Sequence, residues 1–570
     1  MKKSHRVFII STLIVLLLAA GGEFTELESR STDYYSEVRR NILLFGEIYK
    51  EVTNRYVEEI DPEKFMRAGI QGMLDRLDPY TTYLEDDARD DVEIMTRGKY
   101  YGVGMRIQQR NGWATVSEQP FPNSPAFRAG IREGDQIIEI DGNSTEGQEL
   151  SETARQLRGP EKGSAVVIKI RRVGEDKPLT FRLIRDEIIV SDIEYAGFVE
   201  PGVGLIKLSR FNRTADRQIG EALERLLNEE MEALILDLRG DPGGLLDVAV
   251  AVADHFIEKD ELIVYTKGRW ENNNQEYRAQ GHPIAGNIPL VVLVDELSAS
   301  ASEIVAGAIQ DLDRGVIMGT DTFGKGLVQT VLPLDRRGEN QLKLTTAKYY
   351  IPSGRTIQRP EAFKRGPNSV FPPAPGAETG DEPSDSEFRT RRGRPVEGGG
   401  GIKPDIAIED STFRATPYVR ELMRHSMFFN FSLEYVTEHS DLARDFEVTG
   451  EMIEAFKVFV QQKDFEFEPP GYAEFKELEK ISREREYYSA ISAPLDSIRS
   501  AFQAVAAREI EESGEQISML IRREIARKLF GSDASYEVMF SSDSTLMAAV
   551  ELLQDPEQYR RILNIETAPE

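Results

Sequence analysis

The 570-residue chain contains no cysteine. Disulfides, thiol nucleophiles and cysteine-ligated metals are therefore excluded. Histidine is scarce too: His5, His255, His282, His425 and His439 are the only five. No two of them stand at the spacing of a helical metal motif, so no zinc site and no other cofactor is implied. Positive charge is in deficit, with 70 Lys and Arg against 98 Asp and Glu and a formal net charge of −28. Nucleic acid is an unsuitable partner for such a chain, because a phosphate backbone needs a basic stripe to displace its counterions. One long apolar run stands out, Val7–Ala20, preceded by Lys2, Lys3 and Arg6. This is the pattern of a signal peptide or, counted to Gly22, of a short membrane anchor. Either reading of residues 1–22 exports the rest of the chain, to the periplasm or the outer face of the cytoplasmic membrane.

What remains is ordinary globular composition, 40% hydrophobic and 29% charged. The length exceeds one hydrophobic core, so several domains are expected. Residues 33–92 read as a helical domain: apolar residues recur at helical spacing from Val38 to Val52, and Asp61-Pro62 opens a second helix running to about Leu77. From Gly98 to Asp186 the pattern changes to short strands between glycine-rich turns. Its segment 124–142, SPAFRAGIREGDQIIEIDG, resembles PDZ domains. The resemblance implies that Tyr101, Gly102, Val103 and Gly104 form a loop whose N–H groups hold a peptide carboxylate. The adjoining strand edge would accept the peptide as an added strand.

Residues 193–410 alternate buried-strand and helix patterns, which predicts an α/β core with parallel strands. Within it, 360–401 has the composition of a flexible insertion, ending in four glycines. Residues 411–570 read as a helical region without recognisable chemistry, with Gly531 as a C-terminal cap. A lid, a dimer contact and an adaptor site remain open for it.

Three segments of the α/β part could carry chemistry. Ser298-Ala299-Ser300-Ala301-Ser302-Glu303 joins the strand LVVLVDE to a helix. A serine there meets free N–H groups and a favourable helix dipole, although any of the three serines could simply cap the helix. Lys325 lies between Gly324 and Gly326, where little bulk surrounds the amine and desolvation could make it a neutral base. Taken alone it is a turn lysine. Leu236–Gly244, LDLRGDPGG, puts a glycine pair after a buried strand and can aim N–H groups outward as an oxyanion hole; alone it is a turn.

In this order, with Lys325 25 positions after Ser300, the segments resemble the carboxyl-terminal processing peptidases, the tail-specific proteases of serine peptidase family S41. LDPYTTYL, YYIPSGRTIQ and GIKPDI extend the likeness over about 33–410. The resemblance implies Ser300 as nucleophile, Lys325 as general base, Gln329 as the residue orienting the lysine, and Ala301, Gly243 and Gly244 as oxyanion donors, with no histidine required. It implies a multidomain α/β protein: a crotonase-like α/β protease core, an inserted PDZ domain that is β-rich, an N-terminal helical domain and a C-terminal helical region. The expected activity is a cell-envelope serine endopeptidase acting on proteins with exposed C-terminal tails, with a regulatory adaptor or homo-oligomer as further partners. Asp241 departs from the family, which more often has asparagine there. Two readings compete: a non-catalytic PDZ-bearing scaffold, and an acyl-CoA enzyme sharing the core fold.

Overall fold

A computed structural model describes residues 34–84, 98–159, 161–336, 338, 340–359, 388–408, 415–463 and 465–565. The apolar run of residues 1–22 and the first part of the expected insertion, 360–387, lie outside them. Among the described residues no helix is long and apolar enough to cross a membrane. They fall into two units.

The first unit holds a helix over 34–55 and a second, Pro62–Leu74. Asp61 caps the second helix through the N–H groups of Glu63 and Lys64, and Pro62 occupies the first position, where its missing N–H is harmless. Tyr49 stacks on Phe65 at 5.7 Å and donates to the Pro62 carbonyl at 2.7 Å. Ile42, Leu43, Leu44 and Ile48 of the first helix are exposed.

The second unit is organised by a six-stranded sheet in the order Ile193–Glu200, Val203–Leu208, Ala233–Asp237, Leu290–Val294, Val316–Gly319, Ile406–Ala407. The first pair is antiparallel and the remaining pairs are parallel. Because side chains alternate along a strand, the two faces enter different cores. Leu234, Leu236, Leu290, Val292 and Val294 join the helices Ala215–Asn228, Leu246–Asp254 and Ala301–Asp311. Ala233, Ile235, Val291 and Leu293 face the other way and meet Leu546, Ala549, Val550, Leu553 and Tyr559. The C-terminal helices Ser544–Gln554 and Pro556–Ile562 thus form the third layer of the core. Arg239, in the LRGDPGG turn, grips Asp543 with two bonds of 3.0 and 2.7 Å, and Asp543 also caps the helix that follows.

A second, antiparallel sheet was not foreseen. In it Leu327–Pro333 pairs with Gln341–Tyr350, which pairs with Leu262–Gly268, and that strand with Gln275–Arg278. The expected flexibility of the insertion also fails at its second end. Residues 388–401 are anchored: Phe388–Arg389 pairs with Pro395–Val396, and buried Arg394 bonds Asp313 at 2.6 Å and also meets Asp405. Two of the insertion's four closing glycines, Gly398 and Gly401, serve close packing there. A Cβ on Gly401, at φ +87, would meet the Thr322 carbonyl oxygen at 2.7 Å.

The PDZ-like part is a sheet ordered Ile107–Arg110, Trp113–Val116, Gln136–Ile140, Ala165–Arg171, Leu179–Ile184, with Ile107–Arg110 at one edge near the helix Leu150–Leu157. The stretch Tyr100–Ile107, YYGVGMRI, divides between the strands Lys99–Gly102 and Ile107–Arg110. Gly104 at φ +77 causes the break, with Ser124 so close that no side chain fits. The C-terminal helices Met427–Glu438 and Gly514–Phe530 pack on this part. The Arg110 guanidinium lies 3.6 Å from the Phe429 ring centroid, and Glu133 pairs with Arg527 at 2.7 Å and Lys528 at 3.2 Å. Burial pulls the Lys528 ammonium below its ordinary range.

Candidate active site

Three consecutive parallel strands, Ala233–Asp237, Leu290–Val294 and Val316–Gly319, end side by side. Each is followed by one of the three motifs. Connections leaving the carboxyl ends of neighbouring parallel strands converge, which is where open α/β sheets bind ligands. The serine segment thereby meets the glycine turn through Ser302 and Asp241 and the lysine segment through Glu303.

The serine segment separates its three hydroxyls. Ser298 and Ser302 are fully buried, donating to the Leu238 carbonyl at 2.8 Å and the Asp241 carbonyl at 3.0 Å. Ser300 is partly exposed and opens the helix Ala301–Asp311 at φ 55, ψ −107. A non-glycine residue is rarely found there, and such a backbone costs about 1–3 kcal/mol unless its surroundings over-determine it. Strain of this kind characterises strand-to-helix turns that expose a nucleophile.

Glu303 does much of the over-determining. It is fully buried, and its Oε2 accepts from the N–H of Ser300 at 2.8 Å and of Lys325 at 2.9 Å. Oε1 accepts from the Thr322 hydroxyl at 2.6 Å and the Gly324 N–H at 2.7 Å. Burial raises the Glu303 pKa, and these donors oppose the rise. One carboxylate oxygen therefore links the main chains of the serine and the lysine. Gln329 lies on the strand Leu327–Pro333 beside an irregularity in its pairing, with Nε2 buried and without a hydrogen-bond partner.

The glycine turn comes against the same serine. A Cβ on Gly243, at φ +91, would meet the Ala299 carbonyl oxygen at 2.4 Å and the Ala301 nitrogen at 2.7 Å. The turn is fixed by the Phe211 N–H donating to the Gly243 carbonyl and the Leu245 N–H donating to the Phe211 carbonyl. Gly243 itself donates to Asp241 Oδ1 at 2.8 Å. The Gly243 N–H is thereby engaged by the Asp241 side chain. Asp241 is fully buried, its Oδ2 has no hydrogen-bond partner, and burial pushes its pKa up to about 8 against the Gly243 bond. His255 meets Asp216 at 2.9 Å, a pairing between two core helices. In the PDZ-like part, the Val103 carbonyl accepts from the Ala126 N–H, and that of Gly104 from the Phe121 N–H and the Ser124 hydroxyl. Tyr101 is exposed, and Gly102 ends a strand paired with Asp186–Ile189.

Comparison with known proteins matches four stretches of the chain. The description "Peptidase family S41" matches residues 202–362, and "PDZ domain" matches 116–172. "Probable PDZ-protease, C-terminal helical domain" matches 418–553, and "Activating protease CtpB N-terminal domain" matches 19–88. A carboxy-terminal-processing protease of Bartonella bacilliformis is 37% identical over 356 residues, 62% of this chain and 78% of that protein. The chain belongs to peptidase family S41, the carboxy-terminal processing proteases. Carboxy-terminal processing protease CtpB of Bacillus subtilis is 34% identical over 57% of this chain and 69% of its own length. Among solved structures, the photosystem II D1 C-terminal processing protease is 27% identical, over 64% of this chain and 92% of that one, with a TM-score of 0.33. This family member carries a PDZ domain and a C-terminal helical domain.

Reading the sequence singled out Ser300, Lys325 and Gln329 as candidates and passed over Glu303, although it closes the SASASE motif. Its signal was an acid three positions after a serine at a helix start, a pattern that by itself means a capping box. Only its bonds to Thr322, Gly324 and Lys325 reveal more.

Proposed function

We propose that this family member is a serine endopeptidase working through a Ser300–Lys325 dyad. The observation that carries the reading is the strained backbone of partly exposed Ser300, joined to the main chain of Lys325 through a single oxygen of Glu303. In this mechanism the neutral Lys325 amine takes the Ser300 proton as Oγ attacks the scissile carbonyl. The N–H groups of Ala301 and Gly244 face the resulting oxyanion. Lys325 returns the proton to the leaving amine, and water then hydrolyses the acyl-enzyme by the same route. Gln329 orients Lys325; its buried, unpartnered amide supports a role in the site rather than in the framework.

The PDZ domain binds the C-terminal tail of a protein substrate at Tyr101–Gly104 and adds it to the edge strand Ile107–Arg110. The core is read as crotonase-like and the protein as exported to the cell envelope, in keeping with the apolar run after Lys2, Lys3 and Arg6. Family membership and the joint presence of Ser300, Lys325 and Gln329 argue against a non-catalytic scaffold.

The test is degradation of an unfolded protein with an apolar C-terminal tail, in a chelating buffer, by wild type, Ser300→Ala and Lys325→Ala. Cleavage by wild type alone is expected. Undiminished cleavage by Ser300→Ala would overturn the assignment.

A further inference from the structure

Both members of the proposed dyad are held at their N–H groups by Glu303 Oε2. Their carbonyls share a second partner. The hydroxyl of Tyr349 lies 3.0 Å from the Ser300 carbonyl oxygen and also within hydrogen-bond reach of the Lys325 carbonyl oxygen. Tyr349 is fully buried, and its own N–H donates to the Gly326 carbonyl at 3.1 Å, directly beside the lysine. A closed ring results: Ser300 N–H, Glu303 carboxylate, Lys325 N–H, Lys325 carbonyl, Tyr349 hydroxyl, Ser300 carbonyl. No other pair of residues in the site is bridged on both of its main-chain polar groups among the described bonds.

The geometry points to Tyr349 as a positioning residue that, with Glu303, sets the separation of nucleophile and base by bridging their carbonyls. Tyr349 touches neither substrate nor the transferred proton. It acts on the backbone that carries the two reacting side chains.

The placement has a structural origin. Tyr349 is the last residue but one of the strand Gln341–Tyr350, whose neighbour Leu327–Pro333 begins two residues after Lys325. On its other side the strand is in register with Leu262–Gly268, Tyr349 opposite Thr266. The second sheet thus delivers a rigid phenol to the loop that the first sheet leaves at the end of Val316–Gly319. Ser300 makes such a tether necessary. At φ 55 and ψ −107 its backbone would relax toward an ordinary region if its peptide groups were freed. Relaxation by a fraction of an ångström is enough to spoil a proton transfer, which requires heavy atoms about 2.6–3.2 Å apart. Removing the hydroxyl while keeping the ring preserves the packing and takes away the one proton that the two carbonyls share, leaving the Ser300 carbonyl with only the Ile304 N–H of its helix.

This inference rests on the Ser300–Lys325 reading, and one assay separates the two. Tyr349→Phe, Tyr350→Phe and Ser300→Ala are compared with wild type for kcat, KM and the pH profile of kcat/KM on the tailed unfolded substrate. Melting is followed in parallel. For Tyr349→Phe, kcat falls roughly ten- to a hundredfold, on the scale expected for a misplacement near 1 Å. KM stays within about twofold, because tail recognition lies elsewhere, and the limb reporting the base is displaced. Tyr350→Phe, whose ring stacks on Tyr265 at 5.1 Å, keeps the wild-type kcat. With Ser300→Ala inactive, a wild-type kcat and pH profile for Tyr349→Phe would overturn this inference alone. So would a loss of activity matched by a loss of folded protein, since the role would then be merely structural. An active Ser300→Ala would remove the dyad reading and this inference with it.

Discussion

Two carboxylates are buried on opposite sides of the serine turn, and the fold equips them differently. Glu303, on the lysine side, accepts four hydrogen bonds, from Ser300, Thr322, Gly324 and Lys325. Asp241, on the glycine side, accepts one at its side chain, from Gly243, and its second oxygen has no hydrogen-bond partner. Burial raises the pKa of both. The number of donors decides what each can do. A carboxylate saturated by fixed N–H and O–H groups anchors geometry, whereas one with a single donor changes charge near neutral pH.

The largest expected effect tests the saturated side. Glu303→Gln turns an NH2 group toward either Ser300 and Lys325 or Thr322 and Gly324, setting donor against donor. Activity on the tailed substrate should fall at least about a hundredfold, and stability by about 2–4 kcal/mol in denaturant titration, since stranded buried donors cost 1–3 kcal/mol each. If this variant were as active and stable as wild type, Glu303 would be filler and the contrast with Asp241 would collapse.

The next effect concerns Asp241 and is one of pH. With its pKa pushed up to about 8, the carboxyl is neutral below that pH and ionised above it. Lys207 and Arg210 are the cationic groups acting on it, and Ser302 is its polar neighbour on the helix. An anion beneath the glycine turn opposes an oxyanion forming above it, so wild-type kcat/KM should drop about tenfold between pH 7 and pH 9.5, in line with a full charge change beside the site. Asp241→Asn should abolish that decline. The stability sign follows from the raised folded-state pKa: the native state holds its proton more tightly than the unfolded chain. The stabilisation is thus complete below about pH 4 and is lost progressively as pH rises toward 8. Asp241→Asn should therefore melt higher than wild type at pH 8, with little gain at pH 4. Parallel alkaline profiles for the two proteins would show that Asp241 does not titrate where proposed.

The smallest effect lies on the far face of the sheet. Asp543→Ala removes a helix cap and the bidentate partner of Arg239, so stability should fall by about 2 kcal/mol. At pH 7 kcat should stay within about twofold, because the bond runs away from Ser300. A tenfold loss of kcat without loss of stability would join this face to the chemistry. The packing also warns against ending the chain near Asp410 to probe assembly, because Val291, Leu293, Ile235 and their neighbours would then lie bare.

Much of the core could be read along the chain. The strands Val203–Leu208, Ala233–Asp237, Leu290–Val294 and Val316–Gly319 and the helices after them lie within about three residues of where apolar runs and periodicity predict them. Asp61 and Gly531 cap helices as expected from their local chemistry. Other features were not legible. The hairpin Leu327–Pro333 with Gln341–Tyr350 carries lysine, threonine and glutamine among its apolar residues and is only partly buried, so no clean alternation marks it. The helices Ser544–Ile562 show a helical period but nothing that names the sheet face they cover. Gly398–Gly401 has the composition of a linker, yet Gly401 packs against Thr322 and Gly398 against Phe388 and Arg355.

By itself the sequence marked the strands of the core through residue type and short-range spacing, and it offered the PDZ domain and the candidates Ser300 and Lys325 through resemblance to a family. The tertiary structure alone decided that Ser300 rather than Ser298 or Ser302 is partly exposed, that Gly243 presses on Ala301, and that Glu303 and Tyr349 close a ring around Ser300 and Lys325. These depend on the ends of neighbouring parallel strands and on a second sheet meeting at one point. Contacts across 19 to 61 residues of chain arise from strand pairing and packing, which no local pattern encodes.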